Sequence, residues 1–126
     1  MNSRNIRRGD VFYADIPDIE EEGVQGGIRP VVVTQSNWLN LRSPTVIITC
    51  LTSQIKNEDM ECHFTLPKIK GLPLQTMVLG EQRRTIKKSE LLEYRCHLAK
   101  DLMKHVTRAI RAAEREEEEK PKRPWK

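Results

Sequence analysis

Residues 45–53, TVIITCLTS, decide the fold, because they carry the strongest strand signal in the chain. The run is almost entirely β-branched or apolar, and such side chains suit the pleated, largely buried surface of a strand. Residues 30–35, PVVVTQ, open with a second apolar run, which is typical of a strand buried on both faces. Pro30 is expected at the first position of that strand, because proline cannot donate a hydrogen bond to a sheet. Two such strands predict a domain built around a β-sheet.

Shorter segments on either side extend this sheet. Strands are predicted at residues 10–16 (DVFYADI), 62–67 (CHFTLP) and 76–86 (TMVLGEQRRTI). Gly80, inside the last segment, predicts a bulge or a close backbone approach. Residues 18–27, DIEEEGVQGG, are acidic and rich in glycine, which predicts a mobile loop of functional interest. Residues 36–44 are rich in turn-forming residues and are expected to connect two strands.

The periodicity becomes helical toward the C-terminus. Ser89 followed by ELLEY predicts a short capped helix, and RCHLA (95–99) is compatible with a strand or a bridge. From Lys100 onward, apolar residues at helical spacing form one stripe: Leu102, Met103, Val106, Ile110 and Ala113. The sequence therefore predicts a mainly β domain with α: a small twisted sheet or barrel of five or more strands and one long C-terminal helix.

The net charge belongs to residues 1–113. They hold 17 of the 22 basic and 13 of the 18 acidic side chains, which accounts for the whole charge of +4. Residues 114–126 are balanced in charge and have lost the apolar stripe, so they are predicted to be a disordered tail. Residues 1–113 suit a single domain, and their basic character favours a polyanionic partner such as nucleic acid.

Cysteine usage and the absence of long apolar runs predict the compartment. No run approaches the roughly 20 apolar residues of a membrane span, and the polar N-terminus shows no secretory signal. Three cysteines (Cys50, Cys62 and Cys96) show no CxxC spacing, which argues against a disulfide framework or a zinc site. We therefore expect a cytoplasmic protein that does not contact the membrane.

Two polar residues at strand ends are the best candidates for chemistry, because common hydrolase, zinc-protease and nucleotide-binding motifs are missing. Arg29 stands beside a buried strand, and Thr52 lies where the strongest strand becomes polar. A guanidinium presents five donors in a fork that suits phosphate oxygens, and a nearby threonine hydroxyl can reach the same oxygens. The alternative is structural: Arg29 pairs with an acid such as Asp10 or Glu81, and Thr52 only fills a strand position.

Four segments in this order resemble the MazF/PemK family of bacterial toxin endoribonucleases, and in particular its Gram-positive members. They are RRGDVFYADI (7–16), GGIRPVVVTQSN (26–37), SPTVIITCLTSQI (43–55) and GEQRRTI (80–86). The resemblance covers residues 7–113. It implies a small SH3-like, CcdB-like β-barrel with a C-terminal helix, assembled as a homodimer. It also implies the toxin of a type II toxin–antitoxin system, with a cognate antitoxin as protein partner.

The activity implied by this resemblance is metal-independent cleavage of single-stranded RNA (mRNA) at a short sequence, without a cofactor. Arg29 and Thr52 match the catalytic pair of the family. The 2′-hydroxyl would attack the neighbouring phosphorus and leave a 2′,3′-cyclic phosphate and a 5′-hydroxyl. The resemblance places RNA contacts at Gln25, Gly27, Ser53, Gln54, Glu81, Gln82 and Arg84. A rival on the same fold is a non-enzymatic, CcdB-like gyrase poison, which does not require the arginine–threonine pair.

Overall fold

A computed structural model describes residues 5–16 and 27–115, which contain six strands and two α-helices. The predicted strands at 10–16 and 45–53 agree with the structure to within one residue. In chain order the elements are β1 (Asp10–Ile16), β2 (Gly27–Val33), α1 (Asn37–Arg42), β3 (Thr45–Thr52), β4 (His63–Thr65), β5 (Met77–Lys87), a 3-10 turn (Lys88–Glu90), β6 (Leu91–His97) and α2 (Lys100–Ala113).

The strands form one strongly curled antiparallel sheet in the order β4-β5-β3-β2-β1-β6. β5 ends at Lys87 and β6 begins at Leu91, although four strand spacings separate β5 from β6 in the sheet. In a flat sheet these spacings would amount to about 19 Å, whereas four peptide steps span at most about 14 Å. The sheet must therefore curl, and Ile86 and Leu91 pack in the same core cluster.

Each face of the sheet carries its own apolar core. Val31, Val32 and Val33 are all fully buried, and their alternation places Val32 in one core and its two neighbours in the other. The first core joins the sheet to α2, and the second lies inside the curl. The prediction that this run is buried on both faces is confirmed, and the structure explains it by a helix on one side and curvature on the other.

The long C-terminal helix packs on β5 as the apolar stripe predicts. Met103, Val106, Ala109 and Ile110 are its buried residues. Gly80 of β5 is the point of closest approach, because a Cβ there would lie 2.5 Å from the backbone oxygen of Ala109. The predicted close backbone approach at Gly80 is confirmed.

One predicted connection contains a helix that was not predicted, and two local predictions are wrong. Residues 36–44 contain α1, whose N-cap Ser36 accepts a hydrogen bond from the Leu39 amide. Residues 89–94 form a 3-10 turn and the start of β6, because pairing with the open side of β1 outweighs the local helix signals. Pro30 is the fourth residue of β2, where pairing with β3 has not yet begun, so its missing donor is tolerated.

The expected closed barrel is not confirmed. Within the described residues the sheet has two ends, β4 and β6, so it is an open, curled sheet with one main helix. The predicted loop at 18–27 lies outside these residues except for Gly27, and so does the predicted tail except for Glu114 and Arg115. None of the helices in the ranges 5–16 and 27–115 is long and apolar enough to span a bilayer.

Candidate active site

Arg29 and Thr52 are brought together by the pairing of β2 with β3. The pair of this ladder nearest to them is Val31 with Cys50. Continuing the register by two residues along each strand places Arg29 across from Thr52. Side chains alternate along a strand, so both residues belong to the face that carries Val31 and Cys50. The backbone of Arg29 is fixed on its other side, because it pairs with Ala14 of β1.

Both residues also border a small cleft at this end of the sheet. The cleft has a volume of about 200 Å³. Its walls are formed by Tyr13, Ile28, Arg29, Pro30, Thr52, Ser53, Leu72, Pro73, Leu74 and Thr76. The structure thus joins three of the residues selected from the sequence, namely Arg29, Thr52 and Ser53.

The hydroxyl of Thr52 is held in place by the turn that follows it. Its oxygen accepts a hydrogen bond of 3.0 Å from the backbone amide of Gln54, and the residue is only 6% exposed. A hydroxyl has one donor and two acceptor positions, so its proton can still be directed to a phosphate oxygen. Gln54 itself is exposed and does not line the cleft.

The remaining predicted RNA contacts are spread over neighbouring elements. Gly27 begins β2 with a φ of 81°, a backbone conformation that favours glycine, and it is not part of the cleft wall. Gln25 lies outside the described residues. Glu81, Gln82 and Arg84 lie on β5, the other neighbour of β3, and not in the cleft.

A large bulge in β5 contains Glu81 and Gln82. Thr49 of β3 pairs with Arg83, whereas Leu51 pairs with Val78, so residues 79–82 of β5 all oppose Cys50. The extra residues interrupt the ladder and change the direction in which side chains point. Glu81 and Gln82 are therefore on an irregular part of the strand, next to the position from which β3 continues to Thr52.

Charged side chains on β2 and β5 influence the pKa of the buried Cys50 thiol. Burial raises its pKa to about 11, while the nearby charges of Arg84 and Arg29 lower it and that of Glu81 raises it. All three charged groups therefore lie within electrostatic range of one residue at the centre of β3. Positive charge from β2 and from β5 converges on this part of the sheet, although only Arg29 borders the cleft.

The two acids considered as structural partners of Arg29 each bind a histidine. Asp10 is almost fully buried and lies 2.7 Å from Nδ1 of His97. Glu81 lies 3.1 Å from Nε2 of His63. Both histidines thus contact a carboxylate, and neither lines the wall of the small cleft.

The sequence from residue 7 to residue 113 matches the model of a protein family described as PemK-like, MazF-like toxins of type II toxin–antitoxin systems. The chain belongs to this family. A curated relative, the endoribonuclease MazF of Staphylococcus saprophyticus, is 40% identical over 106 residues, which are 83% of this chain and 88% of the relative.

Solved structures share the fold of this MazF-like toxin. MazF from Deinococcus radiodurans superimposes with a TM-score of 0.74 at 20% identity, over 87% of this chain and 96% of that one. An endoribonuclease from a mycobacterial species, solved in complex with its cognate antitoxin, gives a TM-score of 0.70 at 19% identity, over 86% and 93%. At this level of identity the likeness supports the fold alone.

Sequence reasoning missed most of the apolar wall of the cleft. Ile28 and Leu74 are 62% and 64% exposed, and they flank the toxin's arginine–threonine pair. The segment that supplies Leu72, Pro73 and Leu74 showed only glycine and proline breakers in the sequence. The one available signal was Ile28 itself, an apolar residue between a glycine pair and an arginine.

A larger cleft of about 700 Å³ lies elsewhere on the toxin, between the N-terminal segment and α2. Its wall carries six basic side chains: Arg7, Arg8, Lys100, Lys104, Arg108 and Arg111. The hydroxyl of Thr107 in this wall already accepts a hydrogen bond from Arg8, and His97 is bound to Asp10. Size and basic charge alone do not define a catalytic centre, so Arg29 and Thr52 in the smaller cleft remain the candidates for chemistry.

Proposed function

We propose that this toxin is an endoribonuclease that cleaves single-stranded RNA with Arg29 and Thr52, without a metal ion. The observation that supports the assignment most directly is that these two residues occupy facing positions on neighbouring strands and border one cleft. They are also the residues that the sequence resemblance marks as the catalytic pair. The activity is the one named for the 40% identical Staphylococcus relative.

The reaction requires few protein groups because RNA supplies its own nucleophile. A new bond forms between the 2′-oxygen and phosphorus, and the bond from phosphorus to the 5′-oxygen breaks. The 2′-hydroxyl loses its proton, the 5′-oxygen gains one, and the products carry a 2′,3′-cyclic phosphate and a 5′-hydroxyl. The enzyme has to align this attack and stabilise the negative charge that develops on the phosphoryl oxygens.

Arg29 is suited to charge stabilisation and not to proton transfer, because a guanidinium remains protonated in proteins. Its fork can donate to two phosphoryl oxygens, and Thr52 can donate a third hydrogen bond. The group that accepts the 2′-hydroxyl proton is not assigned to any residue of the cleft.

RNA must extend beyond the small cleft. A volume of about 200 Å³ is below the range of roughly 300–1,000 Å³ that is usual for drug-sized ligands, so it accommodates a part of one nucleotide. The rest of the strand would cross the neighbouring surface, where Gln82 and Arg84 of β5 lie. Amide and guanidinium groups recognise the exposed edges of unpaired bases.

The assembly and partners follow from the same proposal. We infer an SH3-like barrel from the curl that brings β5 to β6, and a homodimer as the functional unit, with residues 1–113 as the toxin domain. The mycobacterial relative was solved with its antitoxin, and a cognate antitoxin is proposed for this chain. We also propose a reducing cytoplasm as its location, because the three cysteines show no CxxC spacing.

Product chemistry in the presence of a chelator tests the reaction. Purified protein is incubated with a long RNA of low structure in excess EDTA, and fragment ends are analysed with and without phosphatase. We expect specific cleavage and fragments that polynucleotide kinase labels directly, because their 5′-ends are hydroxyls.

Two variants control this experiment. Arg29→Ala should be inactive, whereas Arg42→Ala should cleave like the wild type, because Arg42 lies on α1 and its guanidinium contacts the Trp38 ring. Fragments with 5′-phosphates that form only with a divalent metal would overturn the proposal in favour of metal-assisted attack by water. Absence of cleavage together with inhibition of gyrase would favour the CcdB-like alternative.

A further inference from the structure

A cluster of three potential metal ligands lies at the edge of the sheet, outside the small cleft. It consists of Cys62, His63 and Glu81, whose Sγ, ring nitrogen and carboxylate oxygen all lie within 4.8 Å of one another. Cys62 immediately precedes β4, His63 begins it, and Glu81 belongs to the bulge of β5. The three residues meet because β4 pairs with β5, with His63 opposite Leu79.

The hydrogen bonds of His63 leave one ring nitrogen facing a carboxylate. Nδ1 lies 3.0 Å from the backbone oxygen of Asn57, which can only accept, so Nδ1 carries a proton. That oxygen is fixed in a turn, because it also accepts from the amide of Met60. Nε2 is 3.1 Å from Glu81 Oε2, and an ionised carboxylate also only accepts. A ring nitrogen and a carboxylate oxygen therefore face each other across a gap that one cation can bridge.

We propose that Cys62, His63 and Glu81 bind one divalent cation of the zinc class, with a fourth position open to water. Thiolate sulfur, imidazole nitrogen and carboxylate oxygen are the ligands that zinc takes in proteins. With zinc–nitrogen and zinc–oxygen bonds of about 2.0 Å, two such ligands in a tetrahedron stand about 3.3 Å apart. The observed separation of 3.1 Å between Nε2 and Oε2 is close to this value.

The surroundings of the cluster favour a cation. The bond from His63 to Asn57 has the role that a backbone carbonyl commonly plays behind a zinc-binding histidine, because it fixes the tautomer that presents Nε2. The His63 side chain is 6% exposed and that of Glu81 is 37% exposed, so the site is sheltered but open to solvent on the Glu81 side. Glu61 also lies near Cys62, although its carboxylate is paired with Arg115.

Metal binding at this cluster must release a proton from the thiol. Cysteine binds zinc as its thiolate, and Cys62 would do so here. Zinc binding converts it to a zinc thiolate and a free proton. The bound ion would join the three-residue edge strand β4 to β5.

Metal titration of the untagged full chain, first freed of metal with a chelator, tests the proposal without any measurement of RNA cleavage. We expect calorimetry with Zn²⁺ to give one site per chain, and Co²⁺ to produce a thiolate-to-metal charge-transfer band in the near ultraviolet. Zn²⁺ should also raise the midpoint of thermal unfolding, because it binds the folded state.

Variants separate this site from adventitious binding. Cys62→Ser should abolish the charge-transfer band and weaken Zn²⁺ binding more than about tenfold, and His63→Gln should weaken binding similarly. The matched control is Cys96→Ser, which removes a half-buried thiol outside the cluster and should bind like the wild type. No binding at millimolar metal, or unchanged binding by both Cys62→Ser and His63→Gln, would overturn the proposal.

Discussion

At the scale of single residues, the candidate site combines one anchored hydroxyl with one anchored charge. Thr52 is almost buried and its oxygen accepts a hydrogen bond from the Gln54 amide. Arg29 is held through the backbone pairing of β2 with β1, opposite Ala14. The Thr52 hydroxyl is thus positioned before RNA binds, and the backbone from which the Arg29 side chain extends is fixed, which limits the reorganisation needed when charge develops on the phosphate.

Substitutions at these two positions should lower the rate of cleavage while leaving the fold intact. Arg29→Lys keeps the charge but loses the forked geometry of the guanidinium. Thr52→Ala removes a hydrogen-bond donor, and removal of one such donor typically costs about 10²–10³-fold in kcat. We therefore expect Arg29→Lys to lose at least about tenfold and Thr52→Ala about a hundredfold. Single-turnover cleavage rates measure both effects.

Thr52→Ser is the matched control, because it retains the hydroxyl and should keep most of the activity. Denaturant unfolding should show a loss of about 1 kcal/mol for Thr52→Ala, since one hydrogen bond to the Gln54 amide disappears. Wild-type rates in Arg29→Lys would mean that the fork is not used. Equal activity of Thr52→Ala and Thr52→Ser would remove Thr52 from the mechanism.

At the scale of elements, predictability followed the strength of the local signal. β3 and α2 were predictable from sequence because a β-branched run and an apolar stripe agree with their tertiary environments. β6 was not, because Ser89 and the residues after it have helix-like signals, and only the free edge of β1 explains a strand there. α1 spans six residues and is fixed by a buried side chain, since the Asn40 amide group binds both the side chain and the backbone of Gln35.

The candidate functional residues also differ in how far the sequence could predict them. The candidates Arg29 and Thr52 stood out in the sequence because each adjoins a strong strand signal, and both border one cleft in the structure. The grouping of Cys62 and His63 with Glu81 was not, because it depends on the register of β4 with β5 and on a bulge. The absence of a CxxC spacing argues against a zinc site formed by neighbouring residues of the sequence, but it does not address ligands assembled across two strands.

The close packing of α2 against Gly80 of β5 leads to a prediction about stability. Gly80→Ala would place a Cβ 2.5 Å from the Ala109 oxygen and 2.7 Å from the Cys62 oxygen, both of them backbone atoms that cannot rotate away. We expect the free energy of unfolding to fall by about 1–3 kcal/mol, as for overpacked cores, measured by urea denaturation. Thr85→Ala, at an exposed position of the same strand, should change it by less than about 0.5 kcal/mol. Equal stability of both variants would contradict this packing.

At the scale of the whole molecule, basic charge is divided between two surfaces. Four basic residues follow the GEQ segment in the sequence, and such a cluster would suit an acidic antitoxin segment: Arg83, Arg84, Lys87 and Lys88. In the structure Arg83 pairs with Glu114, and the ammonium of Lys88 donates to the Asn40 carbonyl. The larger cleft between the N-terminal segment and α2 has six basic side chains in its wall, so it offers a second basic surface to an acidic segment. An antitoxin can inhibit either by covering Arg29 or by binding at this cleft.

Competition between the antitoxin and RNA distinguishes these two modes. We propose that an acidic antitoxin segment lies across the RNA-binding surface and covers Arg29, since a polyanion and an acidic peptide seek the same positive charge. A 2′-O-methyl RNA, which has no free nucleophile, should then be displaced by the antitoxin, and each ligand should weaken the other by the same factor. Fluorescence anisotropy of the labelled RNA measures this displacement.

Lys104→Glu in the larger cleft is the control and should leave the competition unchanged. Simultaneous binding without mutual weakening would rule out occlusion, and loss of antitoxin binding in Lys104→Glu would place its contact on α2.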